Sequence, residues 1–235
     1  MCVLYFCSYV SLSYFCTGSN RRAGGQEQIT MLLTITLAGQ LLPPQLLYQG
    51  KTTGCHPKFD FPEEWDIHHS ESHWSNASTM DRYADKVLIP YVTAQREALG
   101  LSEDQSALAI FDVFKAHRCP ELLAKLKENH IHAVFVPASC TGELQPLDCD
   151  GGVNDVLKKE LKQRFVQYYA DKFTTELQEG RDLASISVDM TLSKLKPIHA
   201  NWVLGAMDSI ANNVDAIARG WDRTGIRGAV SRARE

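Results

Sequence analysis

The run from Ser106 to Lys159 constrains this chain more than any other stretch. It opens with five apolar residues, Ala107-Leu108-Ala109-Ile110-Phe111, and ends them on Asp112. A helical segment follows from Pro120 to His130, and then a second apolar run, His132-Ala133-Val134-Phe135-Val136. Strand, helix and strand of these lengths form a βαβ unit with a parallel pair. Asp112 then falls at the carboxyl end of its strand, where open α/β sheets place their chemistry. Asp148 comes after the next strand and just ahead of a further helix, which begins near Val153. Both carboxylates can reach the same edge of the sheet. Two acids brought together repel unless a cation lies between them, and hard, oxygen-preferring Mg²⁺ is the natural candidate.

The rest of the composition narrows the reading mainly by exclusion. A chain of 235 residues holds one large or two small domains. Its net charge is −4, so any contact with nucleic acid has to come from a local basic surface. The seven cysteines are irregularly spaced without a Cys-x-x-Cys pair, which reads as free thiols in a reducing compartment. Residues 1–18 carry no charge and are rich in aromatic side chains. They lack the basic start of a signal peptide, and serines interrupt the apolar run a membrane span would need. No membrane partner is expected, and the alternation from Cys7 to Leu12 is compatible with a strand.

Two strand-like runs, Gln28 to Ala38 and Leu46 to Gly50, flank a turn marked by Gly39 and by Pro43-Pro44. The segment from Lys51 to Ser78 is polar and irregular. Cys55 with His56, His68, His69 and His73 raises a zinc reading, but the spacing matches none of the usual ligand pairings. The segment therefore reads as a surface or substrate-facing loop, with Trp65 and Trp74 plugging it against the sheet. A helix starts near Ser78-Thr79, and Tyr83, Val87, Leu88 and Tyr91 recur along it at helical spacing. After Asp148, apolar residues at 157, 161, 165 and 168 define one face of a helix. Its other faces carry Lys158, Lys159, Lys162 and Arg164, which read either as a solvated surface or as a phosphate-contacting one. Thr174 to Leu192 reads as a polar connector, and the remaining tail as helix with a short docking loop.

Ile110-Phe111-Asp112-Val113-Phe114-Lys115, Val134 to Thr141 and Leu144-Gln145-Pro146-Leu147-Asp148 together resemble the DDE superfamily endonuclease domain of pogo, Tigger and jerky-like transposases. The phrase from Ile35 to Lys51 and the tail from Lys196 to Ile226 carry the same resemblance. It implies an α/β fold, an RNase H-like mixed sheet flanked by helices with a helical C-terminal tail. It divides the chain into a divergent segment 1–25, the endonuclease domain 26–173 with an incomplete first strand, and an extension 174–235. Asp112 and Asp148 become the second and third ligands for Mg²⁺ or Mn²⁺, with Asp150 as a spare because Val153-Asn154 stands five residues beyond Asp148. The resemblance further implies DNA as partner, a nuclear location and room for a homo-oligomer. The family's first aspartate has no match, since Glu27 is the only acid in residues 1–59. That gap, and the lack of room for amino-terminal DNA-binding helices, reads as a truncated or decayed copy or a fragmentary gene model. The expected function is a transposase-derived, nucleic-acid-binding domain with impaired catalysis. The rivals are an active Mg²⁺-dependent nuclease using Glu27 or a distant acid, and a non-catalytic chromatin or protein-interaction module.

Overall fold

The computed structural model describes residues 4–13, 28–186, 188–189 and 191–232. Six strands form one mixed sheet: β1 (Leu4–Ser13), β2 (Gln28–Thr36), β3 (Gln45–Gln49), β4 (Asp66–Ser70), β5 (Ala107–Phe111) and β6 (Ile131–Phe135), in the spatial order β4-β3-β2-β1-β5-β6. β2 runs antiparallel to both of its neighbours, β1 and β3, while the β3–β4, β1–β5 and β5–β6 pairs are parallel. All strands but β2 therefore point one way, and their carboxyl ends share one edge of the sheet. The antiparallel strands β1–β3 with β5 and β6 added parallel beside β1 form the expected RNase H-like mixed sheet, and β4 adds a further parallel strand beside β3.

Strand alternation explains why helices cover both faces. In β2, Ile29, Met31, Leu33 and Ile35 enter one core, while Leu32 enters the other, with Thr30, Thr34 and Thr36 buried on the same face as Leu32. The first core is closed by α5 (Val153–Gln178), α6 (Leu192–Ala211) and α7 (Val214–Arg223), through Leu157, Leu161, Leu195, Ile210, Ile217 and Trp221. The second is closed by α1 (Ala77–Tyr83), by α2 (Ile89–Ala98), reached through a π-helical turn Ala84–Leu88, and by α3 (Pro120–Glu128). Short helices α4 (Thr141–Leu144) and α8 (Ile226–Arg232) complete the fold.

Several expectations are corrected. A ten-residue strand, β1, stands between β2 and β5, so the first strand is complete and not an appendage. The polar stretch read as loop contains β4, whose Asp66 is fully buried and accepts from Gln45 Nε2 and Arg82 Nε, each at 2.6 Å. The helix near Ser78 starts at Asn76, whose side chain caps Thr79 N at 3.0 Å while Asn76 N donates to Thr79 Oγ1 at 2.9 Å, a reciprocal capping box. α5 runs on to Gln178, so the boundary at 173/174 falls inside a helix. The tail beyond it shares one core with the sheet and is part of the same body. Trp65 does plug the core, stacked on Phe61, whereas Trp74 is 45% exposed.

Candidate metal and nucleic-acid site

Asp112 stands one residue past β5, at the carboxyl edge. Its Oδ1 accepts from the backbone N–H of Phe114 at 2.9 Å and lies 2.6 Å from Nδ1 of His117, whose side chain is wholly buried. The carboxylate thus braces the turn leading into the helical turn Lys115–Arg118, and 18% of its side chain remains exposed. Beside it runs a cleft lined by Ser72, Trp74, Ser75, Asn76, Phe114 and Lys115.

Asp148 is fixed by a different device. Gly152 lets the chain fold back tightly, because a Cβ there would stand 2.7 Å from the carbonyl oxygen of Cys149. This turn brings Asn154 under the loop, where its backbone N–H donates to Leu147 O at 3.0 Å and its Nδ2 to Asp148 Oδ1 at 2.6 Å. Asp150 instead points outward, 92% exposed, and pairs with Arg223 of α7 at 3.0 Å. α7 also packs its backbone onto the loop. A Cβ on Gly220 would meet Pro146 O at 2.2 Å, so only glycine permits this approach.

The third carboxylate expected of the site does not come from the neighbouring strand. Register pairs Cys7 of β1 with Phe111, so the next residues, Ser8 and Asp112, stand level, and β1 reads Leu-Tyr-Phe-Cys-Ser-Tyr-Val-Ser-Leu-Ser. Glu27 lies outside the described residues. Among the described residues, the one group of three or more potential metal donors is Cys55, His56 and His69, and it contains neither aspartate. Two hard divalent ions need more oxygen donors than Asp112 and Asp148 supply, so these residues do not fit a two-ion centre.

Along α5, Lys158, Lys159 and Lys162 are exposed on the outer side, as the spacing leads one to expect. Arg164 separates from them. It lies two residues beyond Lys162 and therefore turns towards α6, where its guanidinium covers Gly205 and its Nε lies 3.5 Å from Glu160. The apolar face at Leu157, Leu161, Phe165 and Tyr168 packs on the core as read.

The histidine-rich segment supplies what the sequence reading missed. Cys55, His56 and His69 converge, with one donor atom from each lying within 4.8 Å of the others. His56 Nε2 and His69 Nδ1 face each other at 3.1 Å. Burial, and then the neighbouring His69, His68 and Lys196, push the His56 imidazole below its ordinary pKa. The sequence signal was there as residue types, but its spacing hid it.

Comparison with known proteins gives the chain a family. The model of the DDE superfamily endonuclease family matches residues 26–217. Among curated proteins, the chain is 23% identical over 210 residues to the MFS-type transporter clz9 of Cochliobolus lunatus. It is 24% identical over 124 residues to the human pogo transposable element with ZNF domain. Those matches cover 82% and 53% of this chain but only 22% and 8% of the two relatives' lengths. No helix among the described residues is long and apolar enough to cross a membrane. Among solved structures, the catalytic domain of Mos1 mariner transposase aligns with a TM-score of 0.48 at 11% identity, over 95% of this chain and 78% of that domain. On the match over residues 26–217, the chain belongs to the DDE superfamily endonuclease family.

Proposed function

We propose that this chain is a transposase-derived nucleic-acid-binding domain that acts on DNA in the nucleus and no longer cleaves it. The observation that carries this reading is β1: the strand beside Asp112 has no acidic residue, so it adds no third carboxylate to Asp112 and Asp148 among the described residues. A two-ion mechanism needs one ion to activate the attacking oxygen and another to stabilise the leaving one. The loss of one ligand usually ruins that geometry. Asp112 and Asp148 keep structural work in the meantime, bracing one turn and one loop. Mg²⁺ or Mn²⁺, which the family resemblance implies, would meet only these two carboxylates here.

DNA binding in this reading falls to the outer side of α5. Lys158, Lys159 and Lys162 form a basic row on a protein of net charge −4, which is the local surface such binding requires. Arg164 belongs to the packing with α6 instead.

Plasmid nicking with Mg²⁺ or Mn²⁺ tests the first half of the proposal. No divalent-ion-dependent nicking is expected from the wild type, and nicking that Asp112→Asn abolishes would sink it. Duplex-DNA binding measured by anisotropy across salt concentrations tests the second half. Replacing Lys158, Lys159 and Lys162 together by alanine should reduce the log–log salt slope by about two to three, at roughly 0.9 per phosphate contact. An unchanged slope would remove α5 from the interface.

A further inference from the structure

The convergence of Cys55, His56 and His69 is unrelated to the acidic edge and does not depend on the reading above. From it, we propose that the Cys55 thiolate and one ring nitrogen from each of His56 and His69 bind a single Zn²⁺ ion, with water in the fourth position.

The donor set suits the metal. Zinc takes imidazole nitrogen at about 2.0–2.1 Å and thiolate sulfur at about 2.3 Å in tetrahedral array, which sets neighbouring donor atoms about 3.3–3.6 Å apart. The facing nitrogens of His56 and His69 already stand 3.1 Å apart, and the three donors lie within 4.8 Å of one another. Closing the set takes side-chain rotation of about 1 Å, well within the freedom of half-buried residues.

The fold builds this convergence from two directions. The parallel pairing of β3 with β4 sets His69 level with Tyr48. The chain then leaves β3 through Gly50 and returns in the helical turn Thr53–Cys55. Gly50 makes the return possible, since a Cβ there would stand 2.6 Å from Cys55 Cβ and 2.7 Å from its sulfur. Tyr48 closes the inner side, its ring 5.6 Å from that of His56. Lys196 of α6 brings a positive charge nearby, but its Nζ is held on the carbonyl oxygen of Cys55 at 2.8 Å, and the thiolate offsets its repulsion of the ion. On binding, the thiol proton leaves to solvent, and the imidazole that donates the shared hydrogen carries its proton on its outer nitrogen instead. The ion would fasten the turn after β3 to β4, the edge strand. It lies four strand spacings, or roughly 19 Å, across the sheet from β5 and Asp112.

Cobalt titration of the full chain, stripped with chelator, decides the matter. One equivalent of Co²⁺ should give tetrahedral d–d bands and a thiolate charge-transfer band, both erased by one equivalent of Zn²⁺. Zinc should also raise the thermal midpoint in a concentration-dependent way. Cys55→Ser should lose the charge-transfer band, and His69→Gln should weaken binding by at least the roughly 10–100-fold that loss of an outer-shell partner alone costs. Cys119→Ser, away from the cluster, should match the wild type. Absence of cobalt uptake by the wild type overturns the proposal. So does a charge-transfer band that survives in Cys55→Ser, because the ion would then sit on another of the seven cysteines. Circular dichroism identifies variants that fail to fold, and a folded His69→Gln with wild-type affinity also refutes the site.

Discussion

Trp221→Ala is expected to lower the unfolding free energy by about 3–5 kcal/mol, the range for removing a large aromatic side chain from a packed core. Trp221 is the largest fully buried side chain in the described structure. It lies on α7 yet belongs to the same cluster as Ile29, Met31 and Ile35 of β2, so it ties the end of the chain to the sheet. Its indole Nε1 donates to Thr36 O at 2.8 Å, just where β2 gives way to the Gly39 turn. Truncation would remove the packed ring and leave that carbonyl without its indole donor. The neighbouring Gly220 means that α7 cannot slide inward to refill the space, because its backbone already lies against Pro146 O. Chemical denaturation of wild type and variant measures the loss. A change under about 1 kcal/mol, typical of surface substitutions, would mean that the tail does not close the core. The loop that carries Asp148 rests on the same helix, so the variant should also loosen that loop, visible as faster amide exchange around Asn154.

Acidification should cost about 2–3 kcal/mol between pH 7 and pH 4.5 through His199 alone. This imidazole lies in α6, 7% exposed and edge-on to Trp202 at 6.2 Å. Burial lowers its pKa to about 4. The unfolded chain binds the proton near pH 6.5, so between those values the unfolded state holds more protons than the native one. Stability from this group is therefore complete above pH 6.5, falls as the pH drops, and levels off below about 4. Burial also lowers the pKa values of His56, His68 and His73, which adds to the same trend. His199→Gln should flatten the urea midpoint between pH 7 and pH 4.5 relative to the wild type. Parallel losses in the two proteins would assign the acid sensitivity elsewhere.

The residues differ in how far their sequence revealed them. Ala107–Phe111 was readable as a strand to the residue because five apolar side chains in a row leave few other options. β6 was placed one residue late, since His132 and Ile131 flank the run and pairing with β5 decided between them. Asp66–Ser70 has one aliphatic residue in five and no periodicity. It becomes a strand because β3 offers a ladder and because Gln45 and Arg82 arrive from elsewhere to satisfy Asp66. Arg164 looked equivalent to the three lysines until α6 arrived opposite it with a glycine to receive its guanidinium. Asp148 and Asp150 could not be separated by spacing, and the fold of the Gly152 turn turned one inward to Asn154 and the other out to Arg223.

By itself, the sequence determined the βαβ unit, the apolar face of α5, the placement of Asp112 at a strand end and the absence of an acid near the start of the chain. Each of these is a local pattern, fixed by period-2 or period-3.6 alternation or by composition. Only the tertiary structure decided that residues Leu4–Ser13 are a central strand, that the tail closes the core, and that Cys55, His56 and His69 meet. Those outcomes depend on strand pairing and helix packing between residues far apart in the chain, where register and the approach of backbones at Gly50 and Gly220 set the distances. Sequence spacing carries no record of that geometry.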